Sequence, residues 1–166
     1  GVFGHDDPDG DFGLNFTYGL TSNLTLDATY NPDFSQVEAD AGQISVNERF
    51  AIFFPEKRPF FLEGTEIFGM PKQLVYTRSI VNPVGGAKLT GKVGSFQMGY
   101  IGAVDESFDA ADPKTVVNLF RLRKDVGSSS TVGAVYTDRT VASDDYNRVA
   151  GADARLVLAD RYTVTL

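Results

Sequence analysis

Apolar and polar residues alternate without a break from Asp11 to Leu20. Phe12, Leu14, Phe16, Tyr18 and Leu20 share one face of an extended chain, and Asp11, Gly13, Asn15, Thr17 and Gly19 share the other. Leu24, Leu26, Ala28 and Tyr30 repeat the pattern beyond a turn at Thr21-Ser22-Asn23. Period-two alternation on both sides of so short a turn predicts a β-hairpin. The same rhythm predicts strands over 87–93 and 95–104 about Gly94, and over 115–124 and 131–139 about a Gly/Ser turn. It predicts a last pair over 148–158 and from Tyr162 onward, about Ala159-Asp160. Extended segments are also read over 43–54 and 73–81, with Asn82-Pro83-Val84-Gly85-Gly86 as a turn. No stretch carries a convincing helical period.

The rhythm breaks over 33–72. Its centre is Phe50 to Gly64, FAIFFPEKRPFFLEG, where Phe53, Phe54, Phe60 and Phe61 surround Glu56, Lys57 and Arg58 between Pro55 and Pro59. Two prolines so close together remove backbone donors and fix φ, so no regular helix or central strand is expected to run through. A segment this aromatic still needs a surface to bury against, and the flanking strands supply one. If 43–54 and 73–81 were neighbouring strands, this insertion would spring from the short-turn rim. It would then fold back as a plug or rim element, with Arg58 and Lys57 meeting Glu56, Glu63 or Glu66.

The predicted strands run about nine to eleven residues, the length a tilted strand needs to cross a bilayer, against five or six in ordinary sheets. Opposite the apolar face lie charges, not only neutral polar groups: Lys88, Lys92, Arg121, Arg123, Asp153 and Arg155. Tight turns alternate with longer connections at 105–114 and 140–147. Together these features predict an all-β fold, an antiparallel up-and-down transmembrane β-barrel of which this chain is a part. The domain is expected over 11–166, after a polar lead-in over 1–10. The alternation in the final residues and the lack of an initiator Met suggest a segment of a longer protein.

The net charge of −7 comes from fifteen basic and twenty-two acidic residues, with no Lys/Arg-rich run. Nucleic acid is therefore not an expected partner. Absence of Cys excludes disulfides, thiolate metal sites and Cys nucleophiles. No apolar run approaches the ~20 residues of a membrane helix, which leaves a β-barrel open.

Four segments, Asn31–Asp40 (NPDFSQVEAD), Phe53–Gly64 (FFPEKRPFFLEG), Tyr76–Ile80 (YTRSI) and Gly85–Lys92 (GGAKLTGK), carry a family resemblance. In them the chain resembles the bacterial domain of unknown function 5916. The resemblance implies a C-terminal outer-membrane barrel of Gram-negative bacteria, often preceded by a family-9 carbohydrate-binding module, and it implies no reaction.

Candidate chemistry is sparse. Asp7, Asp9 and Asp11 alternate around Gly10 as carboxylates do in calcium loops, but the distal bidentate Glu is missing, so calcium ranks behind a solvated acidic linker. Glu56, Glu63 and Glu66 include a possible glycosidase pair, for which a structural ion pair with Lys57 or Arg58 is the simpler reading. His5 lacks partners for a triad or a metal. The Phe pairs suit sugar stacking less well than burial. The basic strip of Lys88, Lys92, Arg121 and Arg123 either attracts anionic solutes or balances Asp27 and Asp153. The expected partner is thus the lipid bilayer of an outer membrane, with glycans second, and the expected role is passage or surface handling of a solute linked to polysaccharide use. A secreted carbohydrate-active hydrolase or its accessory β-domain, and a structural or assembly barrel, are the alternatives.

Overall fold

The computed structural model describes residues 12–32, 56–70, 74–106, 113–141, 144–159 and 161–166. Eight strands form one antiparallel meander in which each strand pairs with the next in sequence. They are β1 (Leu14–Thr21), β2 (Leu24–Tyr30), β3 (Pro83–Val93), β4 (Phe96–Asp105), β5 (Thr115–Val126), β6 (Ser130–Thr140), β7 (Tyr146–Leu158) and β8 (Tyr162–Thr165). The sheet is open, with β1 and β8 as its edges. Strands β3 to β7 run from 10 to 13 residues, whereas β1 and β2 have 8 and 7. Gly94 and Gly127 sit in the left-handed region at φ 60° and 63°, where a side chain would be strained, and each makes a tight turn possible.

Register sorts the side chains into two faces. Tyr18, Leu26, Leu89, Tyr100, Phe120, Tyr136 and Ala150 lie across one rung, strand by strand. This face is uncovered: Tyr18 is 56% exposed and Phe120 44%. The next rung, on the other face, runs Thr17, Asp27, Lys88, Ile101, Leu119, Thr137 and Val149. The connection between β2 and β3 packs onto this second face. Its described parts hold a one-turn helix α1 (Pro59–Leu62) and 3-10 turns at Thr65–Phe68 and Thr77–Ser79. Phe61, Ile67, Phe68 and Ile80 bury against Ile101, Ala103, Val117 and Leu119, with Phe60 and Val75 at the margin. Full burial of such side chains stabilises by about 1.5–3 kcal/mol each.

Three expectations are corrected. First, residues 74–81 form no strand; they hold the Thr77–Ser79 turn. The carbonyls of Thr77 and Ile80 accept hydrogen bonds from Arg58 instead of joining a ladder. Second, Asn82–Gly86 is not a turn. β3 begins at Pro83, the first residue of a strand and next to a register shift, where a missing N–H is tolerated. Gly86 extends the strand because its bare Cα gives room to the Phe60 ring, 3.3 Å from where a Cβ would stand. Third, β2 pairs directly with β3, so the insertion leaves from the long-connection end of the sheet and not from the short-turn rim. The segment 43–54 lies outside the described residues. A single helical turn also passes through the proline-rich stretch, with Pro59 at its first position, where its fixed φ fits.

Candidate functional site

Among the described residues, the charged side chains that are deeply buried lie on the polar face, in the segment folded over it, or at the end of β4. Arg58, 5% exposed, is the first hub. Its Nε donates to Glu56 Oε1 at 2.8 Å and one terminal nitrogen to Glu56 Oε2 at 2.8 Å, a bidentate fork. The remaining donors reach Ile80 O at 2.6 Å and Thr77 O at 3.0 Å, and the guanidinium lies 4.3 Å from the centre of the Phe61 ring. Glu56 also accepts from the Thr77 hydroxyl at 2.6 Å and from the Lys57 and Arg58 amides. Burial, the largest single influence, pushes the Glu56 carboxyl up. The hydrogen bonds from Arg58 and Thr77 and the Arg58 charge together outweigh it and hold the group at about 2. The carboxylate is therefore a fixed counter-ion. A carboxyl this acidic cannot serve as a general acid near neutral pH.

Lys88 is the second hub and is 1% exposed. Its Nζ donates to Phe60 O at 2.9 Å and Glu63 O at 2.7 Å, and it stands 3.4 Å from Asp27 Oδ2. The ammonium thus ties α1, through the carbonyls at its end, to the middle of β3. Glu63 contributes its backbone, and its side chain is exposed. The third hub is Arg121, fully buried, whose Nε donates to Ile67 O at 3.2 Å while Nη1 stands 2.5 Å from Asp153 Oδ1. Arg123, on the next inward position of β5, is half-buried and donates to the Gln97 side chain. Lys92 pairs with Asp125 at 2.6 Å near the short-turn end, and Arg155 is exposed.

Most predicted lumen residues therefore share this face. Phe60 and Phe61 pack edge-to-face at 5.0 Å, Phe61 buried and Phe60 partly so, and Arg58 meets Glu56. Lys57 is exposed on the segment's surface. Phe53 and Phe54, and Asp7, Asp9 and Asp11, lie outside the described residues. Among the described residues no group of three His, Asp or Glu side chains could hold a metal ion. Lys88 and Arg121 are balanced by Asp27 and Asp153, which fits charge balance for these two positions. Sequence reasoning missed Asp105, whose carboxylate accepts the Val81 and Asn82 amides at 3.0 and 2.6 Å and pins the segment's return to β4. An acid at the end of one strand, opposite the proline that opens its neighbour, was the available signal.

Two openings flank the segment. One, of about 320 Å³, lies within it between Glu56, Phe61, Phe68, Val75 and Thr77. The other, of about 610 Å³, opens between the Thr65–Phe68 turn and the short-turn ends of β2 to β5.

The fold defines a class: an antiparallel all-β meander with an uncovered apolar face and a charged face overlaid by a re-entrant segment. The family model described as Domain of unknown function (DUF5916) matches residues 4–93, more than half of the chain, and the protein belongs to that family. No curated protein and no solved structure matches the chain.

Proposed function

We propose that this chain is part of the wall of a bacterial outer-membrane β-barrel that passes or handles a solute linked to polysaccharide use, with the segment around α1 constricting its lumen. The observation that carries the reading is the inverted amphipathicity of the sheet. A water-soluble sheet covers its apolar face and wets its polar one. Here the segment buries the charged Lys88 and Arg121 along with Ile101, Ala103, Val117 and Leu119, while on the other face Tyr18, Phe120 and Tyr136 stay exposed and Leu26, Leu89 and Tyr100 are only half-buried. An apolar face of that breadth fits hydrocarbon, and a charged interior fits a lumen. Selection would follow from lumen width and charge, without bond chemistry.

Among the described residues the geometry does not favour the hydrolase alternative, because Glu56 is locked to Arg58 while Glu63 and Glu66 are exposed. The test is reconstitution of the chain within its full-length protein into planar bilayers. Discrete conductance steps that grow when Lys88→Met loosens the segment support passage. Silent bilayers with correctly inserted protein favour a structural barrel. A monodisperse, detergent-free soluble monomer would overturn the membrane reading.

A further inference from the structure

We propose that the 610 Å³ cleft at the short-turn end binds an uncharged saccharide through unused hydroxyl, amide and carboxylate groups on its walls. The register brings the sheet's share of these groups together. Thr25 on β2 and Thr90 on β3 are paired residues on the face that carries Asp27 and Lys88. Gln97 on β4 lies one inward position nearer the turn. Glu66 and Ile67, from the overlying Thr65–Phe68 turn, supply the other wall. Gly64 leads into this turn at φ 67°, and a Cβ on it would stand 2.8 Å from Thr90 Oγ1. Its bare Cα leaves room beside that hydroxyl.

Threonines opposite one another on neighbouring strands can share a hydrogen bond. Among the described residues, however, neither the Thr25 nor the Thr90 hydroxyl has a protein partner. Gln97 gives its side-chain oxygen to Arg123 and keeps its amide N–H groups unused. The Glu66 side chain is exposed and in no ion pair among the described residues. Thr25, Thr90 and Gln97 are half-buried, and none of these unused atoms is sealed off from solvent. A sugar hydroxyl both donates and accepts, so it needs neighbours of both kinds. Two hydroxyls, an amide donor and a two-oxygen acceptor supply them, and hydroxyls on adjacent strands match adjacent ring hydroxyls.

Charge decides against an ionic ligand. Arg123 on the sheet and Glu66 on the turn are opposite in sign, and Lys92 is matched by Asp125. An anion would meet Glu66 and a cation would meet Arg123, each losing hydration for no net attraction. An uncharged polyol meets neither obstacle. The volume lies in the ordinary range for small-molecule sites. Among the described residues no aromatic ring lines the cleft, so stacking adds nothing and binding in the millimolar range is expected. The proposal deepens the passage reading and rests on it for the route by which the solute arrives, while the binding itself needs only the cleft.

The experiment is a saturation-transfer NMR titration of the full chain, in micelles of a detergent without a sugar headgroup. The probes are glucose, a glucose whose hydroxyls are methylated, and glucuronate. Glucose is expected to bind saturably, the methylated sugar not at all, and glucuronate no tighter than glucose. Thr90→Val keeps the side-chain shape and removes the hydroxyl, and it should weaken glucose roughly three- to tenfold. Thr25→Val should do the same from the neighbouring strand, and Thr137→Val, on the same face outside the cleft, should change nothing. No saturable signal up to about 100 mM glucose overturns the proposal. Unchanged affinity in both Thr25→Val and Thr90→Val, or a clear preference for glucuronate, overturns it equally. Conductance steps without glucose binding sink only this inference; glucose binding by a chain that needs no detergent sinks only the membrane reading.

Discussion

Glu56 shows how one side chain sets the conditions under which the re-entrant segment stays in place. Its carboxyl sits at about 2 in the folded chain, against an ordinary 4.5. Because the folded value is the lower one, its contribution to stability is complete above about pH 4.5 and is lost as the pH falls toward 2. Glu56→Gln leaves Arg58 buried without its counter-charge, which is expected to cost about 3 kcal/mol near neutrality. Urea midpoints measured in micelles for both proteins should differ at pH 7 and converge as the pH approaches 2; a constant gap would contradict the role given to Glu56. Gly99 makes a second residue-scale case. A Cβ there would stand 2.6 Å from Ile67 Cγ2 and 2.9 Å from the Phe68 ring. Gly99→Val is expected to destabilise by about 1–3 kcal/mol by overpacking, seen as an earlier thermal transition.

At the scale of elements, β3 and the insertion depend on each other through Lys88. Lys88→Met removes the ammonium that holds the Phe60 and Glu63 carbonyls and leaves Asp27 without its cationic partner, though still accepting from the Thr17 hydroxyl. The segment should loosen while the strand pairs persist, so limited proteolysis should cut within residues 56–70 before any strand. Equal resistance in both proteins would show that apolar packing alone suffices. This division also explains what could be read from the chain beforehand. Strands β1, β2 and β4 to β7 were legible because Phe12 to Leu20, Phe96 to Val104 and their counterparts impose a period of two that only an extended chain satisfies. The insertion was legible as burial but not as geometry. Its anchors are the backbone carbonyls of Phe60, Glu63, Ile67, Thr77 and Ile80, and a carbonyl leaves no mark in composition. Pro83 to Gly86 misled for a related reason: glycines needed as a seat for Phe60 look the same as glycines needed for a turn. The burial of Phe61 and Arg58 followed from their chemistry, whereas the place of the Arg121 guanidinium depends on Gly133 of the neighbouring strand, whose Cβ would stand 2.7 Å from its terminal nitrogens.

For the whole molecule, the two faces make opposite demands on substitution. Phe120 points to the uncovered side at the centre of the sheet. Phe120→Arg is expected to cost about 2–4 kcal/mol of bilayer stability if that side meets lipid. Folding yield into vesicles, compared with Phe120→Leu, checks this, and no difference would speak against a lipid-facing role. The path of the chain between β2 and β3 has a separate, kinetic consequence. Tyr30 and Pro83 border fifty-two intervening residues, yet their strands are hydrogen-bonded neighbours. β3 to β8 are joined by connections of at most nine residues and can zip in succession. The β1–β2 hairpin must instead find β3 across a loop whose closure entropy exceeds that of a tight turn by about 2–3 kcal/mol. The molecule should thus assemble as two pieces of unequal size, with the smaller one joining late and the overlay setting the pace.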